Sequence, residues 1–77
     1  MEITIIAFGQ VAELTGKSNW IMSDVHTTEQ LKQTIESSYP AIKNINYLVA
    51  VDKKIAAGNT EISANATVAL LPPFSGG

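Results

Sequence analysis

The stretch that decides the fold is the one that opens the chain, Glu2 to Phe8, E-I-T-I-I-A-F. Its first residues alternate between polar and β-branched apolar side chains, a pattern typical of a β-strand. Successive side chains of a strand point to opposite faces of the sheet. The residues predicted to face the core are Ile3, Ile5 and Ala7, and those predicted to face outward are Glu2, Thr4, Ile6 and Phe8. The outward face is therefore apolar at its far end.

A second apolar strand is predicted near the other end of the chain, Thr67 to Leu71, T-V-A-L-L, and the two prolines that follow stop it. Val68 and Leu70 are predicted to point inward, and Leu71 outward. The first and last strands are both apolar enough to be central neighbours in one sheet. Periodicity alone does not fix that strand order.

If the two strands are adjacent, Ile6, Phe8 and Leu71 form one apolar patch on the outer face. Patches of this kind usually mark partner surfaces. One alternative is that a loop covers the three side chains, and another is that the inward and outward positions are exchanged. We expect a partner-binding surface.

The remaining elements follow from periodicity, caps and turn residues. Thr27 is a predicted helix N-cap with Gln30 at the capping-box spacing, and Pro40 stops that helix after Tyr39. The other predicted elements are a short helix Gln10 to Thr15 ending at Gly16, strands Asn19 to Ser23, Tyr47 to Val51 and Ile55 to Ala56, and a turn-rich segment Ile62 to Ala66 with Asn65 left-handed. The sequence therefore predicts an α+β domain over residues 1–71, with a mixed sheet of about five strands packed on one main helix plus a short helix, and a tail over residues 72–77.

Composition limits the possible functions. A chain of 77 residues buries only ~60% of its unfolded surface, so a partner is a natural source of further stability. It has no cysteine, one histidine and five lysines without arginine, with a formal net charge of −2. These counts disfavour disulfides, a Cys/His metal site, nucleic acid and anionic membranes. We expect a cytoplasmic protein with no bound metal and no membrane span.

No catalytic constellation stands out in the chain. His26 stands beside a predicted helix cap, where a surface or capping role is far more common than catalysis. The acidic residues form no obvious acid–base pair, and neither a nucleophile elbow nor a phosphate-binding glycine motif is present. The sequence thus predicts that this chain is not an enzyme on its own.

The ending P-P-F-S-G-G is the most unusual feature. Pro72 and Pro73 favour an extended backbone, and Phe74 to Gly77 can reach roughly 13 Å at ~3.3 Å per residue. Gly76 and Gly77 have no Cβ and fit a channel too narrow for other residues. A disordered end is the alternative, but it does not account for the prolines and the aromatic residue. We expect the tail to enter another protein's active site and deliver the Gly77 carboxylate.

Three segments carry a resemblance to a known family. Val68 to Gly77, V-A-L-L-P-P-F-S-G-G, is similar to the ending of the small, sulfur-carrying subunit of molybdopterin synthase, in the MoaD/ThiS family of ubiquitin-like β-grasp sulfur carriers. Ala7 to Gly16 resembles the family's first strand and short helix, and Val49 to Asp52 its V-A-V-N. The departures are Asn65-Ala66-Thr67, where a Gly-Asp-Glu turn is common, and Phe74, where valine is common.

The resemblance implies a function for the tail. Gly77 would be adenylated by an ATP-dependent enzyme, converted to a thiocarboxylate, and used to donate sulfur to cyclic pyranopterin monophosphate, with Gly76 as its slim neighbour. It implies no bound cofactor, covalent sulfur on Gly77, and a heterotetramer with the large synthase subunit, which would hold the catalytic groups. The residues expected to contact partners are Ile6, Phe8, Leu71, Pro72, Pro73, Phe74 and Ser75.

Three other functions remain open at this point. One is the sulfur carrier of thiamine thiazole synthesis, although those chains tend to be shorter and lack the P-P-x-x-G-G ending. A second is a covalent ubiquitin-like protein modifier, which shares the diglycine. A third is a non-covalent β-grasp interaction module, for which the last two residues would be dispensable.

Overall fold

The computed structural model describes residues 2–72, and those residues form a five-stranded mixed sheet with two α-helices and one 3₁₀-helix. The elements are β1 (Glu2–Ala7), α1 (Gly9–Thr15), β2 (Asn19–Ser23), α2 (Thr28–Ser38), the 3₁₀-helix (Pro40–Asn44), β3 (Leu48–Val51), β4 (Lys54–Ile55) and β5 (Thr67–Leu71). The strand order is β2-β1-β5-β3-β4. The β1–β5 pair is parallel, and the other three pairs are antiparallel. The predicted α+β architecture is confirmed, with strand boundaries within one residue of the predicted ones.

The core lies between one face of the sheet and the helices. Ile3, Ile5 and Ala7 of β1 are buried, as are Val68 and Leu70 of β5. The predicted inward positions of both strands are therefore confirmed. Leu31 and Ile35 of α2, Val11 of α1 and Ile42 of the 3₁₀-helix pack into the same cluster.

The capping residues of the two helices act close to the prediction. The Thr27 side chain accepts the backbone N–H of Gln30 at 3.2 Å. The Gln30 side chain accepts the N–H of His26 at 2.8 Å, one residue earlier than a standard capping box. Gly16 ends α1 with φ +75°, and its N–H donates to the Ala12 carbonyl at 2.9 Å.

One element was not predicted. Pro40 ends α2 as expected, but it also starts a 3₁₀-helix that runs to Asn44 and places fully buried Ile42 in the core. Proline suits the first turn of a helix because its missing N–H has no partner there. The five-residue segment is too short to show a period, so nothing in the pattern separated it from a loop.

The turns position β5 by side-chain and backbone hydrogen bonds. Asp52 has φ +47°, its N–H donates to the Thr67 carbonyl at 2.9 Å, and its carboxylate accepts the Thr67 N–H at 3.0 Å. Asn65 takes the predicted left-handed conformation, with φ +65°, and its N–H donates to the Glu2 carbonyl at 2.9 Å. Asparagine tolerates this left-handed backbone, so the turn forms without a glycine at this position.

Candidate functional site

The described chain ends in the middle of the sheet. β5 lies between β1 and β3, and Leu71 is its last residue. Pro72 follows and is half-buried. The predicted tail residues Pro73, Phe74, Ser75, Gly76 and Gly77 lie outside the described residues. Pro72, the first residue of the predicted tail, therefore follows a strand that lies between β1 and β3, and it is packed against the domain.

The sheet register brings the three predicted patch residues together. Ile6 of β1 pairs with Ala69 of β5, and the register carried two residues further places Phe8 beside Leu71. The N–H of Phe8 donates to the Leu70 carbonyl at 3.1 Å, which holds this end of the pair. Phe8 is 47% exposed, and Ile6 and Leu71 are half-buried. The predicted adjacency and outward direction are confirmed, whereas the contact with a partner stays a prediction.

The structure adds residues that the sequence analysis missed. Leu48 of β3 lies directly opposite Leu71, and Ile55 of β4 lies opposite Ala50, whose other neighbour is Ala69. Leu48 is 37% exposed and Ile55 is 55% exposed. Ala50 is itself buried. We call the joined surface the outer patch; its members are Ile6, Phe8, Leu48, Ile55, Ala69 and Leu71.

The missed residues had weak signals in the sequence. The segment around Leu48 reads Y-L-V-A-V, which is apolar at every position and so gives no alternation to assign faces. β4 is only two residues long, which is too short for a period. Ile21 of β2 also lies on the outer face, 63% exposed, but polar Thr4 is its direct neighbour in β1. Ile21 therefore stands at the margin of the surface.

The exposures exclude a loop that covers this face as a whole. Phe8 and Ile55 keep about half of their surface in contact with solvent. Burying one large apolar side chain contributes ~1.5–3 kcal/mol, so a partner that covers several of them gains substantial binding energy. Exposed apolar patches often mark partner surfaces, so the expectation that a partner binds here stays a prediction.

The described polar groups serve the fold. Within residues 2–72, no three His, Cys, Asp or Glu side chains could share a metal ion, and every buried polar side-chain atom has a hydrogen-bond partner. His26 is exposed, and its backbone bridges Gln30 and Ile62. Over the same part of the chain, no helix has the length and apolar character that a membrane crossing requires.

A groove of about 470 Å³ lies between α2 and the β3–β4 region. At its wall the Tyr47 hydroxyl donates to the Glu36 carboxylate at 2.6 Å, and the Lys32 ammonium lies 5.8 Å from the Tyr47 ring centre. Burial, followed by the hydrogen bond and the charge of Glu36, raises the pKa of Tyr47 above its ordinary range. Tyr47, Glu36 and Lys32 therefore interact with one another at the groove wall.

The strand order, the helix across one face and the apolar other face define a ubiquitin-like β-grasp protein, as the similar solved structures confirm. The ThiS family matches residues 5–77. The chain therefore belongs to the ThiS family, whose members are ubiquitin-like sulfur carriers.

Three similar solved structures show the range of proteins with this fold. SAMP1 from Haloferax volcanii has 20% identity and a TM-score of 0.81, with all of both chains covered. A candidate molybdopterin converting factor subunit 1 from Pyrococcus furiosus has 14% identity and a TM-score of 0.86, with 96% of this chain and 99% of that chain covered. A complex of subunits 1 and 2 of molybdopterin-converting factor from Helicobacter pylori 26695 gives 20% identity and a TM-score of 0.72, with all of both chains covered. At these identities the likeness shows the fold alone.

Proposed function

We propose that this protein is the sulfur-carrier subunit of a molybdopterin synthase. Its Gly77 carboxylate is adenylated, converted to a thiocarboxylate, and used to donate sulfur to cyclic pyranopterin monophosphate. The ending V-A-L-L-P-P-F-S-G-G supports this role, since it is similar to the ending of that subunit. The matched family supports the carrier class.

The observation that carries the proposal is that the tail begins, directly after Leu71, beside the outer patch. Leu71 is at once the last residue of β5 and a neighbour of Leu48 in the patch. A protein docked on the patch therefore lies next to the point where the tail begins. The same docking surface then serves every partner that must act on Gly77.

The chemistry requires that the carrier and the catalysts be separate proteins. A carboxylate is a poor electrophile, so attack of the Gly77 carboxylate on ATP, with release of pyrophosphate, creates an acyl adenylate with a good leaving group. Attack of sulfide on the acyl carbon then displaces AMP, releases a proton and leaves the thiocarboxylate. A chain without cysteine cannot hold sulfur as a persulfide, so the terminal carbonyl is the remaining carrier atom. The acid and base groups then belong to the partners.

The proposed partners are a large synthase subunit and an ATP-dependent adenylating enzyme. The complex of subunits 1 and 2 solved for the Helicobacter pylori factor supports a large-subunit partner for this fold. We propose a heterotetramer in the cytoplasm, with Ile6, Phe8 and Leu71 in the contact. The proposed role of Pro72, Pro73, Phe74 and Ser75 is to line the entrance of the partner's channel.

Intact-mass analysis tests the proposal. Incubation with ATP, an adenylating enzyme and a sulfur donor should replace one oxygen by sulfur in the C-terminal peptide. Deletion of Gly77, or a tag fused after it, should abolish the mass change while the thermal unfolding curve stays the same. An unchanged mass with several adenylating enzymes would contradict the proposal and favour the non-covalent interaction module.

A graded series at Gly76 tests the channel. Gly76→Ala adds one methyl group and restricts the backbone, and Gly76→Ile adds a branched side chain. We expect a mild loss of single-turnover sulfur transfer for the first and a severe loss for the second. Binding of the large subunit should change much less, because the outer patch supplies most of the contact. Equal transfer by Gly76→Ile and the parent would show that no narrow channel exists.

A covalent protein modifier is the second candidate function. The likeness to SAMP1 over the whole chain fits that role as well as the carrier role. Both functions begin with an activated Gly77 carboxyl group. In a modifier a lysine amine then attacks this group, whereas in a sulfur carrier the sulfur donor attacks it. Isopeptide adducts that join Gly77 to cellular lysines would favour the modifier. A thiazole product formed with the loaded chain would favour the thiamine carrier.

A further inference from the structure

Gly9 is a residue for which neither the patch nor the tail chemistry gives a role. It lies at the junction of β1 and α1, and its φ of +52° falls in the left-handed region that glycine tolerates. Two other described glycines, Gly16 and Gly58, share this property with φ of +75° and +76°. The positive φ therefore favours a glycine at each of these three positions.

Gly9 differs from the other two glycines in the atoms that a Cβ at its position would meet. A Cβ at Gly9 would lie 3.0 Å from Cγ, 3.6 Å from Cβ and 3.9 Å from Cδ of Pro72. A Cβ at Gly16 or Gly58 would meet nothing within 4 Å. The surface of Gly9 is thus in contact with the ring of the first tail residue.

Two backbone hydrogen bonds of Phe8 hold the turn at Gly9 in place beside Pro72. The N–H of Phe8 donates to the Leu70 carbonyl at 3.1 Å, so the residue before Gly9 is tied to the end of β5, just before the tail. The Phe8 carbonyl accepts the N–H of Val11 at 3.1 Å, which ties the same residue to α1. The turn at Gly9 is therefore held from both sides, and Pro72 has a rigid surface to rest on.

In the proposed complex a partner's channel holds residues 73–77 extended, so the direction set at Pro72 affects the position of Gly77. Five residues separate Pro72 from the carboxyl end, and fully extended they span roughly 16 Å, so a ~10° tilt at their root displaces the end by roughly 3 Å. Reactions that depend on a fixed approach lose ~10²-fold in rate for a misplacement of ~1 Å. A small change at the root is therefore enough to slow a reaction at Gly77.

We propose that Gly9 is a positioning residue for the tail: by leaving room for the Pro72 ring, it sets the direction in which the chain leaves the sheet toward a partner's active site. This inference rests on the proposed function, since it assigns a role in delivering Gly77. Gly9 touches neither substrate nor the reacting atoms and acts through Pro72.

The test compares Gly9→Ala with Gly16→Ala and Gly58→Ala in the full chain. All three place a side chain at positive φ, so each should lower the melting temperature, and Gly9→Ala should lower it most because its methyl group also meets the Pro72 ring. Pyrophosphate release from ATP is then measured with the adenylating enzyme that modifies the parent, well below the melting temperatures. For Gly9→Ala we expect kcat to fall tenfold or more with KM within about twofold of the parent, because the outer patch is intact. The two control variants should keep the parent kcat.

Rescue separates positioning from a structural defect. Pro72→Ala removes the Cγ and Cδ atoms that a methyl group at Gly9 would meet. The double variant Gly9→Ala/Pro72→Ala should lose less than threefold in kcat relative to Pro72→Ala alone. If Gly9→Ala folds poorly, Gly9→Asn tests the same contact, because asparagine tolerates a left-handed backbone and still carries a Cβ.

Two results would overturn the inference while the proposed function stands. The first is parent-like kcat for Gly9→Ala and Gly9→Asn in a reaction that the parent performs. The second is an equal loss of kcat in Gly9→Ala and Gly16→Ala. A parent chain that is never adenylated would instead overturn the proposed function, and this inference with it.

Discussion

The two faces of the same sheet differ sharply in what their apolar residues contribute. On the inner face, Ile5, Val68 and Leu70 are completely buried against the helices. On the outer face, Phe8 and Leu48 belong to the same or neighbouring strands and remain 47% and 37% exposed. Both faces carry apolar residues, but only the inner face packs against the helices to form the core.

The difference shows which apolar residues stabilise the fold and which are available for binding. A small domain gains most of its stability from the face that the helices cover. Exposed apolar side chains contribute little to that stability, and their burial in a complex would be favourable. Substitutions on the inner face should therefore change the free energy of unfolding, and those on the outer face should change binding.

The largest expected effect separates two adjacent residues of β5. Leu70→Ala removes a fully buried side chain and should lower the free energy of unfolding by about 2–5 kcal/mol. Leu71→Ala truncates its outward neighbour and should cost about 1 kcal/mol or less. Urea unfolding of both variants measures the difference. Equal destabilisation would show that the two faces do not differ in the way the burial indicates.

The second prediction concerns binding of the large subunit. Phe8→Asp places a carboxylate in a contact that excludes water, which costs several kcal/mol unless the charge is paired. We expect at least about a hundredfold weaker binding, roughly 2.7 kcal/mol, by calorimetry. The melting temperature should change little because Phe8 is half exposed in the free protein.

Leu71→Asp tests the same contact from the neighbouring strand and should weaken binding similarly. If either aspartate variant unfolds instead, that residue belongs to the core. In that case the assignment of the two faces would have to be reversed at that position.

The third prediction sharpens the limits of the outer patch. Leu48→Thr changes a residue directly opposite Leu71, and Ile21→Thr changes a residue opposite polar Thr4 at the sheet margin. Leu48→Thr should weaken binding about tenfold, roughly 1.4 kcal/mol. Ile21→Thr should weaken it less than that, although Ile21 is the more exposed of the two. A larger effect at Ile21 would extend the interface across β2 and move its centre away from the tail.

The smallest expected effect lies on the helix side and depends on pH. The pKa of Tyr47 is raised in the folded protein above the ordinary tyrosine value of about 10. The contribution of its neutral form to the free energy of unfolding is therefore fully present below about pH 10. As pH rises above about 10, the unfolded chain loses this proton first, and the contribution is lost. Tyr47→Phe should therefore reduce the decline in stability between about pH 10 and 11.5.

Denaturant titrations across this pH range measure the effect. An unchanged decline in Tyr47→Phe would contradict a raised pKa of Tyr47 in the folded protein.

The sequence by itself determined the two apolar strands, the caps and the direction of each side chain in β1 and β5. Alternation, Thr27 with Gln30, and Gly16 are local signals, and local physics is sufficient to interpret them. The P-P-F-S-G-G ending likewise points to the tail as the functional element, because its prolines and glycines act through their own backbones. Assignment of the fold class needs nothing more, whereas the patch of Ile6, Phe8 and Leu71 also needs the β1–β5 pairing, which periodicity does not fix.

Only the tertiary structure decided what the non-local pairings bring together. Leu48 and Ile55 join the patch through strand registers that their own short, uniformly apolar segments do not specify. The 3₁₀-helix buries Ile42, and Gly9 meets Pro72 across 63 positions of sequence, since 72 − 9 = 63. Periodicity describes how a segment presents its own side chains, whereas contacts between distant segments depend on how the whole core packs.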